Sequence, residues 1–221
     1  MKQFKQILFA IVLTLAISPV VAQVKHQVRK KEQRAAAKKP AYSASRQLAE
    51  FKRLAAQADL IFTFPKGFRE IKAPDDDYFS FDYAMTIPGE DFEIWFQVKS
   101  QKENWASYVK SKSDPHVQLA NPDSTYIALA NAHASAFTGD KTFFIRTIPP
   151  EVLAKYNADA GKSYLLNLRD MPDTRHFKYA LLITLQKDHT GILMAVCFTN
   201  DKGPEFFKNM NKAANCLKFK S

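Results

Sequence analysis

The chain is short of glycine, with six in 221 residues, and has only two cysteines. The first shortage excludes collagen-like and glycine-rich fibrous classes. The second leaves too few thiols for a disulfide scaffold or a four-cysteine zinc site. After the first two dozen residues, no apolar run approaches the ~20 residues a helix needs to cross a bilayer. Disorder of the whole chain is excluded as well, because 46% of the residues are hydrophobic and 18 are Phe, enough to build a core.

The segment Met1 to Ala22 has the three parts of a secretory signal peptide. Lys2 and Lys5 lead, an apolar run from Ile7 to Ile17 follows with only Thr14 interrupting, and Pro19 precedes Val20-Val21-Ala22. Small residues at the end of such a run mark a cleavage site. The sequence therefore predicts removal of residues 1–22, a mature chain starting at Gln23, and a periplasmic or secreted protein. No transmembrane span is expected after cleavage.

The formal net charge of +10 is unevenly placed. Ten basic residues and two acids, Glu32 and Glu50, fall between Lys25 and Arg53, whereas from residue 54 onward basic and acidic residues balance at twenty each. Residues 23–57 thus read as a basic, partly helical arm. Its first part, Val24 to Lys39, has helix formers but nothing apolar to bury. After Pro40 a second helix runs from about Ser45 to Ala58, with Leu48, Phe51, Leu54, Ala55 and Ala58 on one stripe. Such an arm reads first as a solvated linker and, in the sharper reading, as a contact for an anionic surface. Nucleic acid is not the expected partner, because the arm lacks interleaved aromatics for stacking on bases.

Residues 58–221 read as a single domain. Leu60 to Phe64, Tyr78 to Met85 and Phe92 to Val98 are strand-like, the last two joined by Pro88-Gly89-Glu90-Asp91 as a hairpin. Helices are expected over Glu103 to Lys110, with Trp105, Tyr108 and Val109 at helical spacing, and from about Asp123 to Ala132, with Tyr126, Ile127 and Ala130 inward. Ala134 to Phe137 and Thr142 to Ile148, about a Gly139-Asp140 turn, form a second hairpin candidate. Pro150 to Ala158 reads as a short helix. Phe177 to Gln186 and Ile192 to Thr199 are apolar on both faces, so both should be covered on both sides. Gly203-Pro204 opens a last helix to about Ala214, with Phe206, Phe207, Met210 and Ala213 as its stripe, and Leu217 and Phe219 make a terminal strand. The fold class predicted is α+β: a largely antiparallel sheet with helices packed on both faces, an α/β/α sandwich, preceded by the basic helical arm.

A strand leading into Phe64-Pro65-Lys66-Gly67-Phe68, then aromatic strands, a central hairpin and a helix–strand ending, resembles the sandwich shared by the photosystem subunit PsbP, the nuclear transport factor Mog1 and bacterial DcrB-type envelope proteins. The resemblance covers roughly residues 60 to 219, with Pro149 to Thr174 read as an insertion. It implies a small accessory or binding protein and transfers no catalytic residues.

Motifs that carry chemistry are few. Gly161-Lys162-Ser163 looks like the end of a phosphate-binding loop, but Tyr156 stands where that loop needs glycine. His26, His116, His133, His176 and His189 have no metal-ligand spacing among them, and the adjacent Asp75-Asp76-Asp77 cannot all face one calcium ion. No cofactor or metal is implied. The polar loop Arg169, Asp170, Asp173, Arg175, His176 is the place to look for a functional site. Cys197 and Cys216 are read either as a disulfide or as two buried thiols. The leading expectation is an exported, non-catalytic binding or accessory domain that meets a protein or small ligand in the envelope. The alternatives are a hydrolase using the 169–176 loop and a structural protein tethered through its basic arm.

Overall fold

The computed structural model describes residues 41–75, 79–114, 116–140 and 143–221. The leader, the arm as far as Pro40, and Asp76, Asp77 and Tyr78 lie outside these residues, so the readings placed there are not addressed by the structure. Residues Ala44–Ser221 form one compact unit.

Helix α1 (Ala41–Gln57) enters the unit and is followed by β1 (Leu60–Phe62), β2 (Arg69–Ile71), β3 (Tyr83–Thr86) and β4 (Glu93–Ser100). Then come α2 (Lys102–Ser111), α3 (Thr125–Thr138), β5 (Phe144–Thr147), α4 (Pro150–Lys155) and β6 (Ala160–Asn167). The long pair β7 (Tyr179–Lys187) and β8 (Gly191–Thr199), helix α5 (Pro204–Ala213) and β9 (Leu217–Phe219) complete the order. Seven strands make one antiparallel sheet in the order β2-β3-β4-β8-β7-β6-β5, while β1 and β9 pair separately. Among the described residues no helix is long and apolar enough to cross a membrane.

The sheet divides the interior into two cores. On one side Phe51 and Ala55 of α1, Leu153 of α4, and Phe206 and Ala213 of α5 pack on Met85, Ile94, Phe96, Leu193 and Cys197. On the other, Ala130, Ala134 and Phe137 of α3 pack on Trp95, Tyr164, Leu182, Val196 and Phe198. Alternate residues of each strand feed the two cores, as the period of two requires. The α+β sheet with helices on both faces stands as the sequence predicts.

Several local expectations do not hold. The second hairpin candidate is replaced by helix: α3 continues through Ala134 to Phe137 and stops at Gly139, whose φ of 77° ends it in the left-handed cap that glycine adopts without strain. The strand after that turn, β5, pairs instead with β6. The segment read as an insertion therefore supplies β6, which lies between β5 and β7 in the sheet. Within it, Gly161-Lys162-Ser163 is extended strand rather than a phosphate loop. A Cβ on Gly161 would stand 3.0 Å from the Thr184 carbonyl oxygen, so close strand packing explains this glycine. Ile127 and Phe207, expected inward, are 36% and 51% exposed.

Helix α2 buries none of its residues. Its Trp105 instead stacks on His189 in the β7–β8 turn, with ring centroids 3.6 Å apart. Asp123 accepts from the His189 backbone N–H at 2.8 Å and holds that turn.

Candidate functional site

The polar loop 168–178 joins β6 to β7 and contains a 3₁₀ turn at Pro172–Thr174. Arg175 and His176 both have positive φ, 53° and 60°. Two consecutive non-glycine residues in that region need outside support, and Arg175 supplies it. Its Nη1 donates to both oxygens of Glu93 at 2.8 Å, and its Nη2 donates to the Lys72 carbonyl at 2.8 Å. Trp95 lies beneath the guanidinium and donates to Glu93 at 3.0 Å. Arg175 thus pins the loop across β4 to the end of β2.

The other four loop residues are not drawn into one constellation. Arg169 lies against Gly139, where a Cβ would meet its Cδ at 2.7 Å, and its N–H donates to Phe137. Asp173 is half-buried beside the fully buried Thr174. His176 Nδ1 and Asp170 Oδ1 are 2.5 Å apart, but their side chains are 64% and 84% exposed. A pair this open to water is screened and lacks the desolvated setting in which electrostatic catalysis is strong.

A hollow of about 230 Å³ beside the start of α5 is lined by Glu90, Asp91, Asp201 and Glu205. Its two aspartates are engaged in turn formation: Asp91 accepts from the Asn200 backbone at 2.6 Å, and Asp201 from the Gly203 backbone at 3.0 Å, while Glu205 pairs with Lys208. Among the described residues no group of three His, Cys, Asp or Glu side chains is placed to hold a metal ion. His133 packs on Phe81, and burial pushes its pKa down to about 4, with Lys99 adding to the shift.

Cys197 and Cys216 are free, buried thiols on the same side of the sheet. Burial pushes the Cys216 pKa up to about 12 and raises that of Cys197 further, so both stay protonated and unreactive. They line one apolar cavity of about 120 Å³ under α5, together with Tyr156, Ile183, Leu193 and Met210. Tyr156, Ile183 and Met210 are only half-buried, so this cavity reaches the surface.

From the cavity an apolar row runs outward across the sheet. Register places Cys197 beside Leu181, Leu181 beside Leu165, and Leu165 beside Phe144. Exposure climbs along it: Cys197 is 2% exposed, Leu181 half-buried, Leu165 38% and Phe144 57%. The parallel row Ala195, Ile183, Ser163, Arg146 is open in the same way. The expectation that β7 is covered on both faces is corrected here: the α5 side of β7 is only partly roofed at Leu181 and Ile183. Sequence reading missed this surface because β6, which carries Leu165 and Ser163, went unrecognised.

No protein-family model and no curated protein matches this chain.

Proposed function

We propose that the chain is an exported envelope protein whose domain binds an apolar ligand or partner without catalysing a reaction. The observation that carries this reading is the half-open apolar track from the Cys197–Met210 cavity across Leu181 and Leu165 to Phe144. Contiguous apolar surface beside an apolar cavity is what a binding site offers. The signal-peptide layout of Met1–Ala22 supports export, and the resemblance to the PsbP, Mog1 and DcrB sandwich implies an accessory role of the same kind.

The test is direct. A solvatochromic apolar dye such as Nile red should bind the purified domain saturably, and Ile183→Glu and Leu165→Glu should abolish that binding while the fold survives by circular dichroism. Dye binding unchanged in both variants would remove the track as the site. Amino-terminal sequencing of the protein from a periplasmic extract should begin at Gln23.

A further inference from the structure

The two edge strands of the seven-stranded sheet are finished differently. At the β2 edge, Gln47 of α1 acts as a substitute strand: its Nε2 donates to the Ile71 carbonyl at 2.9 Å, and its Oε1 accepts from the Ala73 N–H at 2.9 Å. Arg175 closes the next carbonyl, that of Lys72. At the β5 edge all four residues are exposed. The Ile148 N–H donates to Gly161 at 3.1 Å, which fixes the alternation of the ladder. Phe144 and Arg146 then bond inward to β6, and the N–H and C=O of Ile145 and Thr147 point outward. Among the described residues none bonds these outward groups.

We infer that β5 is a docking edge for an extended segment of another protein that carries two acidic residues followed by two apolar ones. An open strand edge recruits such segments through backbone hydrogen bonds, and side-chain pairs select among them. Strands β5 and β6 contain Arg146 and Lys162 and no acidic residue. Arg146 sits over the Phe144 ring and Lys162 donates to the Thr147 hydroxyl at 2.8 Å. Among the described residues neither forms an ion pair. A segment aligned antiparallel to β5 meets Thr147 with Lys162 first, then Arg146, then Ile145 and Phe144. Acidic residues match the first two positions and apolar residues the last two; the one opposite Phe144 extends the row that ends at Leu165 and Phe144, and the one opposite Ile145 lies on the other face beside Tyr164. A second copy of this chain is disfavoured in the register that sets Ile145 against Thr147, because it places Arg146 directly opposite Arg146 of the other copy.

The inference rests on the binding reading above, since Phe144 belongs to the same apolar track. A fluorescein-labelled Ser-Glu-Glu-Val-Leu-Ser peptide, titrated with the full mature chain, should raise anisotropy saturably. Ile145→Pro removes an outward N–H without touching the β5–β6 ladder and should abolish peptide binding. Arg146→Glu should weaken it roughly fivefold, as expected for one partly exposed charge pair, and shift preference to the Ser-Lys-Lys-Val-Leu-Ser peptide. The inference is overturned if a scrambled acidic peptide binds equally well, if Ile145→Pro binds normally, or if sedimentation shows the edge occupied by a second copy. Nile red binding should persist in Ile145→Pro. Failure of the peptide with dye binding intact would overturn the edge inference and leave the cavity reading standing, whereas loss of dye binding in the Ile183→Glu and Leu165→Glu variants bears on the cavity reading alone.

Discussion

Strands β6, β7 and β8 carry a row buried throughout on one face and a row of climbing exposure on the other. Under α3, Phe198, Ala180 and Leu166 are 0%, 0% and 1% exposed across the three strands. On the opposite face the neighbouring row rises from 2% at Cys197 to 38% at Leu165. The residues on the two rows are similarly apolar, so hydrophobicity alone does not set exposure. The covering helices do. Helix α3 lies along the β6–β7 half of its face, with Phe137 stacked on Phe79 at 4.5 Å. Helix α5 reaches the cavity over β8 and leaves the β5–β6 end of its face open. The first face holds the fold together, and the second leaves apolar surface free for an external contact.

The largest expected difference between the faces is in stability. Phe137→Ala should cost about 3–5 kcal/mol, because it empties a fully buried aromatic site. Leu165→Ala should cost under about 1 kcal/mol, since the side chain is already partly in water. Urea denaturation of the two variants measures both, and equal losses would erase the distinction between the faces. A smaller effect concerns acid. Burial holds the His133 pKa near 4, below its ordinary 6.5, so the folded state resists the proton that the unfolded chain accepts. Its contribution is complete above pH 6.5 and is lost as pH falls toward 4, by on the order of 1–3 kcal/mol. His133→Leu should flatten that part of the stability–pH curve; an unchanged slope would assign the loss to other groups. The smallest signal is at the floor of the open face. Native protein at pH 8 should give almost no reaction with a thiol-titrating disulfide reagent, and two reactive thiols should appear once it is unfolded. No thiols after unfolding would mean that Cys197 and Cys216 are cross-linked.

The sequence made some of this legible. The β7–β8 pair announces itself through nine-residue apolar strands around a Lys187–Gly191 turn, and the structure pairs Tyr179 with Thr199 and Lys187 with Gly191 as a regular ladder. Helix α1 follows from the spacing of Leu48, Phe51 and Ala55. By contrast, β6 hides because Tyr164 and Leu166 face one core while Ser163 and Leu165 face the open side, so polar and apolar residues do not alternate. The C-terminal half of α3 was misread because an alanine-rich stretch followed by Gly-Asp also fits a hairpin. The role of Arg175 was beyond reach: its partners Glu93 and Lys72 lie 82 and 103 residues away, and only the assembled sheet brings them together. The exposed row was equally hidden, since it depends on where one helix stops.

The β1–β9 pairing has a consequence in time. Leu60 lies beside Phe219, the Thr63 N–H donates to Cys216 at 2.8 Å, and Lys220 donates back to Asp59 at 2.7 Å. Residues made early in synthesis thus wait for residues made late. Pairings this distant in sequence slow folding, because a long loop must close before they can form. The nascent domain remains incomplete, with one margin unzipped, until its last strand is available. That delay lengthens the interval in which the chain can be threaded, bound or degraded as an unfolded polymer.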